Sequence, residues 1–171
     1  MKTICLYFEI HQNIQLKRYR FFDIGTDHYY YDDYEDERII EDVTERSYMP
    51  ALNAIGEMIK ENGKYFKVAF SLSGVGMEQL EIHAPQVIEK LQELNQTGCV
   101  EFLAEPYSHG LASLANEESF TKEVKRQCQK MKEYFGQEPK VLRNSSLIYS
   151  DEIGLKASQM GFKGMLTEGA R

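Results

Sequence analysis

The chain contains no tryptophan, only four prolines and only three cysteines in 171 residues. Cys5, Cys99 and Cys128 are odd in number and have no metal-ligand spacing, so a disulfide framework or a cysteine metal site is not expected. Two of them fall in expected strands, which predicts buried, reduced thiols and a reducing compartment. The chain lacks an apolar run long enough for a signal peptide or a membrane span: Met1-Lys2-Thr3 leads straight into a short strand, and a cytoplasmic location is expected. Positive charge is also scarce. Lys and Arg number 20 against 27 Asp and Glu, for a net charge of -7 and a pI near 5.2. That balance argues against nucleic acid or an anionic membrane surface as partner and leaves neutral polar ligands open. The four histidines, His11, His28, His83 and His109, form no His-x-x-x-His pair, and no metal or cofactor is expected. Ser73-Gly74-Val75-Gly76 reads as a loop and lacks the third glycine of a dinucleotide fingerprint. Repeats, low-complexity tracts and linkers are absent, so a single domain or part of one is expected.

What is present is an alternation of strands and helices. Thr3–Ile10, Lys67–Leu72, Cys99–Leu103, Lys140–Leu142 and Lys163–Thr167 have the length and β-branched or aromatic content of strands. Between them, apolar residues recur at helical spacing in Ile39–Asn62, Met77–Asn95, Glu117–Phe135 and a helix capped by Ser150-Asp151-Glu152 and running to Met160. Pro50 and Pro85 are expected to divide the first two, and Gly63, Gly136 and Gly161 to end helices. A strand–helix order repeated four times and closed by a strand predicts a parallel sheet with right-handed crossovers. Asn13–Glu37 is a long connection with a tyrosine cluster and the acidic run Asp32 to Glu37. Its spacing is not that of an EF-hand, so the acids read as a solvated face rather than a calcium loop.

Polar residues that a buried strand would not choose gather at strand ends. Glu101 interrupts an apolar strand, and burying a lone carboxylate is costly. His11 follows the first strand, Tyr107 and His109 the third, and Arg143 to Ser146 the fourth. Ligands of parallel α/β folds bind at that rim. Each residue alone is also explained as a cap; together they favour a site.

Three segments bring a family to mind. Phe8-Glu9-Ile10-His11-Gln12 resembles the first signature of glycoside hydrolase family 57, usually His-Gln-Pro, with Asn13 where proline is usual. Gly98-Cys99-Val100-Glu101 resembles the second, Gly-Gln-x-Glu, with Cys99 for glutamine, and Pro106-Tyr107-Ser108-His109 fits beside it. Arg143-Asn144-Ser145-Ser146 resembles the third, Arg-Asn-Thr-Glu in the α-amylase group. The resemblance runs along the whole chain. It implies a partial (β/α)7-type barrel, residues 1–171 forming the N-terminal part of a domain that continues further. It also implies an α-amylase-like protein acting on or binding α-1,4-glucans, with His11, Glu101, His109 and Arg143 holding the sugar. The family's nucleophile is the glutamate of the third signature, and Ser146 stands in its place. A retaining glycosidase needs two carboxyl groups about 5–5.5 Å apart. A serine hydroxyl with no activating base is a poor replacement. Glu101, Glu105 and Glu152 are weak substitutes by position. The family's general acid, an aspartate of a later signature, is expected beyond Arg171. The competing readings are a non-catalytic glucan-binding or interaction protein and a metal-dependent polysaccharide deacetylase on a related barrel. An open sheet edge predicts either the remaining barrel segment or a homo-oligomer as its cover.

Overall fold

The computed structural model describes residues 4–26 and 28–169. Thr3, the expected start of the first strand, and Asp27 of the long connection lie outside them. Five parallel strands run β1 Leu6–Ile10, β2 Val68–Leu72, β3 Val100–Leu103, β4 Val141–Arg143 and β5 Gly164–Leu166. β1, β2 and β3 are adjacent in that order, and β4 pairs with β5. A parallel bridge between Ala104 and Leu142 joins the two sets, with Arg143 N donating to Ala104 O at 2.7 Å. The spatial order is therefore the chain order, as in a barrel wall.

The helices are α1 Asp33–Val43, α2 Met49–Asn62, α3 Gly74–His83, α4 Pro85–Gln96, α5 Ala112–Ala115, α6 Glu117–Phe135 and α7 Asp151–Gln159. Register aligns Leu6 with Val68 and Val100, and Phe8 with Phe70 and Phe102. Val68, Phe70, Val100 and Phe102, with Ile10 and Leu72, belong to one apolar core with Ile40, Leu52, Ile55, Leu80, Leu91 and Phe135 from the helices; Leu6 packs against it half-buried, and Phe8 on the edge strand stays exposed. Side chains alternate across a strand, so Tyr7, Glu9, Ala69, Ser71, Glu101 and Leu103 share the other face. A second cluster of Ala104, Leu142, Phe120, Val124, Ile153 and Ala157 seats α6 and α7 on β4.

Helix ends follow local chemistry. Gly136 closes α6 in the left-handed region at φ 67°. Asn116 caps α6 and Ser150 caps α7, each accepting from a backbone N–H three residues on. Pro85 starts α4, which splits the second helical region as expected.

Four expectations need correction. The acidic run is helical rather than part of the connection: Asp32 caps α1, which starts at Asp33, and carboxylates there complement the positive helix end, with Asp33 and Glu37 exposed. Asp36 is buried and accepts from Gln15 N at 2.8 Å. Ser73-Gly74-Val75-Gly76 is the cap and first turn of α3 rather than a loop. The first helical region breaks at a π-helical turn, Thr44–Tyr48, with Pro50 sitting harmlessly in the first turn of α2. Finally, the thiols are free, but only Cys99 is buried; Cys5 is exposed and Cys128 half-buried.

Candidate functional site

β1 delivers Glu9 on its inward face and then His11 at its C-terminal end. β4 delivers Arg143 in the same layer. The loop after β3 carries Glu105 and His109, the latter at φ 52°, an uncommon backbone for a non-glycine residue. That loop is pinned by Tyr107, whose ring lies against Gly74 of α3. A Cβ built on Gly74 would come within 2.1 Å of the ring. Tyr107 O also accepts from Val75 N at 3.1 Å, Arg126 lies over its ring at 3.7 Å, and its hydroxyl donates to Glu78.

Arg143 is the centre of the group. Its Nη1 lies 2.6 Å from Glu9 Oε1 and its Nη2 donates to Glu9 Oε2 at 2.7 Å, a two-pronged pairing that a lysine could not make. Nη1 is also 3.4 Å from His109 Nδ1 and 3.7 Å from Glu105 Oε2. His109 Nδ1 lies at the same 3.4 Å from Glu9 Oε1, so this nitrogen faces both a donor and an acceptor. His109 stacks on His11, ring centres 4.2 Å apart and planes 22° apart. Burial, then the neighbouring His11 and Arg143, push His109 down to about 4, so it is neutral across the physiological range.

Glu105 is fully buried, and neither carboxyl oxygen has a hydrogen-bond partner among the described residues. Desolvation raises it to about 8; Arg143 opposes that rise and Glu9 adds to it. At neutral pH it is largely a carboxylic acid. Nearby, Tyr7 and Ser71 hydroxyls lie 2.6 Å apart on the same face, and burial raises Tyr7. Glu9, Glu105 and His109 each bring a ligand atom within 4.8 Å of the others. A cation would have to displace the Arg143 guanidinium, so these residues as arranged favour a polar organic ligand over a metal.

Of the residues singled out in the sequence, His11, His109 and Arg143 come together. Glu101 shares their face but sits opposite Ala69, two residues toward the N-terminal end of the sheet, exposed beside Lys67, Gly98 and Lys140. Ser146 is exposed in a tight turn, with both it and Leu147 at positive φ. Neither makes a side-chain hydrogen bond with the Arg143 group among the described residues. His28 is exposed and His83 half-buried at the end of α3, both apart from the site. The residues overlooked are Glu9, Asn13, Ser71 and Ser73, and Glu105 was weighed only as a substitute carboxylate. A charged Glu9 in an apolar strand was a usable signal; the buried serines gave none.

The pattern of glycosyl hydrolase family 57 matches residues 5–171. The chain belongs to this family. A putative α-amylase of Methanocaldococcus jannaschii is 36% identical over 141 residues, which are 82% of this chain and 30% of that protein. The chain thus spans well under half the length of this curated relative. The 4-α-glucanotransferase of Thermococcus litoralis superposes with a TM-score of 0.70 at 15% identity, over 94% of this chain and 22% of that one. The α-amylase AmyC of Thermotoga maritima gives 0.67 at 12% identity, over 96% of this chain and 39% of that one. These two likenesses establish the fold: a partial barrel of family 57 type with parallel strands. No helix among the described residues is long and apolar enough to cross a membrane.

Proposed function

We propose that residues 1–171 form the N-terminal part of a family 57 barrel that binds α-1,4-glucans at its strand-end rim without cleaving them through Ser146. The observation that supports binding is the convergence of Glu9, His11, His109 and Arg143 from three strand ends on one inward-facing group. Two stacked imidazoles and a paired guanidinium suit uncharged hydroxyl-rich ligands, which both donate and accept. Glu101, lower on the same face and exposed, is not part of that group. What argues against cleavage is Ser146. It offers no carboxylate, and among the described residues no imidazole or carboxylate is bonded to its hydroxyl to activate it. The remaining barrel segment, which would cover the open inward face, is the partner this reading requires.

The test is calorimetric titration of maltoheptaose, with reducing-sugar release followed in parallel, on a chain that includes the rest of the barrel. Binding that weakens at least tenfold in H11A and R143A, without sugar release, is the expected result. Cleavage by the unaltered protein would establish the alternative, an active α-amylase-like enzyme. S146E should create or raise cleavage, and if it does nothing the assignment of Ser146 to the nucleophile position fails.

A further inference from the structure

We infer that Asn13 is a positioning residue for the site, holding His11 with its proton on Nε2 and occupying the edge from which that proton would reach a ligand. The reasoning starts at Ser73. Its side chain is fully buried, and its Oγ accepts the cap bond from Gly76 N at 2.9 Å. A hydroxyl has a single proton, and here no water surrounds it. The one other partner of that oxygen among the described residues is His11 Nδ1, at 2.6 Å. Gly76 N–H is only a donor, so the hydroxyl proton goes to Nδ1. Nδ1 is then the bare nitrogen of a neutral ring, and the ring proton is on Nε2. Nε2 faces Asn13 Oδ1 at 2.8 Å, and the amide must present its oxygen there. The chain of partners therefore runs Gly76 N–H to Ser73, Ser73 O–H to His11, and His11 N–H to Asn13.

The surroundings make this clamp tight on one side only. A Cβ on Gly76 would lie 2.8 Å from Ser73 Oγ and 3.3 Å from His11 Cα, so only glycine lets α3 approach this closely. His109 covers one face of the His11 ring. Asn13, by contrast, is an exposed contact two residues along the chain, the kind of partner a ligand oxygen can replace. Proline, usual at this position in the signature that the segment resembles, has no side-chain acceptor. His11 thus offers a ligand one N–H donor, at Nε2, and Asn13 competes for it. The ligand atom that wins it is a hydroxyl or ether oxygen.

The experiment is long-range proton–nitrogen NMR on the chain labelled with ¹⁵N-histidine, near pH 8, with H11Q used to assign the ring. The unaltered protein should show the Nε2–H tautomer with a slowly exchanging ring proton. N13A should speed exchange of that proton with water at least tenfold while leaving the His83 signals and the melting temperature in place. N13D, which keeps an acceptor oxygen, should restore slow exchange. An Nδ1–H tautomer in the unaltered protein, or unchanged exchange in N13A, would overturn the inference. The ligand half rests on the glucan reading above: maltoheptaose should bind N13A about fivefold more tightly, as a freed donor would predict. Equal or weaker binding by N13A overturns competition. If maltoheptaose binds neither protein while the NMR pattern holds, the glucan reading falls and the clamp stands.

Discussion

Glu105 carries its own pH dependence. Its folded pKa is raised from 4.5 to about 8 by burial, so the folded chain keeps a proton that the unfolded chain releases. The stability this contributes is complete below about 4.5 and is lost as pH climbs to about 8. E105Q is neutral throughout, so its stability relative to the unaltered chain should improve across that window, by about 4 kcal/mol at the top. Urea unfolding at several pH values checks this; a flat difference would mean Glu105 is solvated. His109 works the opposite way. Its pKa is lowered from 6.5 to about 4, so its contribution is present above 6.5 and lost as pH falls toward 4. The His109 ring signals in NMR should titrate near 4, not near 6.5. Arg143 stabilises by pairing, and R143K keeps charge while losing the fork. It should cost about 2 kcal/mol in urea unfolding, because Glu9 loses the second prong of its paired donor.

At the level of elements, α3 decides how the site is presented. Its first turn touches the β1 end through Gly76 and the β3 loop through Gly74. G74A should destabilise by about 3 kcal/mol or more and shift the His109 ring signals, because its Cβ occupies the place of the Tyr107 ring. G169A, with nothing near its Cβ, is the control in the same thermal melts. This turn was misread from the sequence for a physical reason. Glycine disfavours helix, and the gain that outweighs this is packing against residues far along the chain. The α1 start was misread likewise, since Asp32 to Asp36 are polar by composition while Asp36 is turned inward onto the Gln15 backbone. Helices with strong local signals, such as α6 with its apolar period over Glu117–Phe135 and its Gly136 stop, are legible to the residue.

The whole molecule is a wall with two unlike faces. Helices cover the even-numbered residues of β2 and β3, and the polar group occupies odd-numbered ones. Adjacent substitutions on β3 should therefore behave differently. Phe102 is completely buried, and F102A should cost about 3–5 kcal/mol. Glu101 is exposed beside it, and E101A should fall within about 0.5 kcal/mol of the unaltered chain. Similar losses in urea unfolding would contradict the two-faced wall.

The amino-acid sequence by itself determined the order of strands and helices, their parallel crossovers and the family, because periodicity, caps and signature residues are local and survive without a partner. It also brought His11, His109 and Arg143 to a common rim, since all three follow or end strands of one parallel sheet. Only the tertiary structure decided that Arg143 pairs with Glu9, 134 residues away, and that Glu105 is sealed from water. It also set Ser73 against His11, and put Glu101 a layer below. Pairing and burial depend on register between distant strands, and no spacing along the chain encodes that.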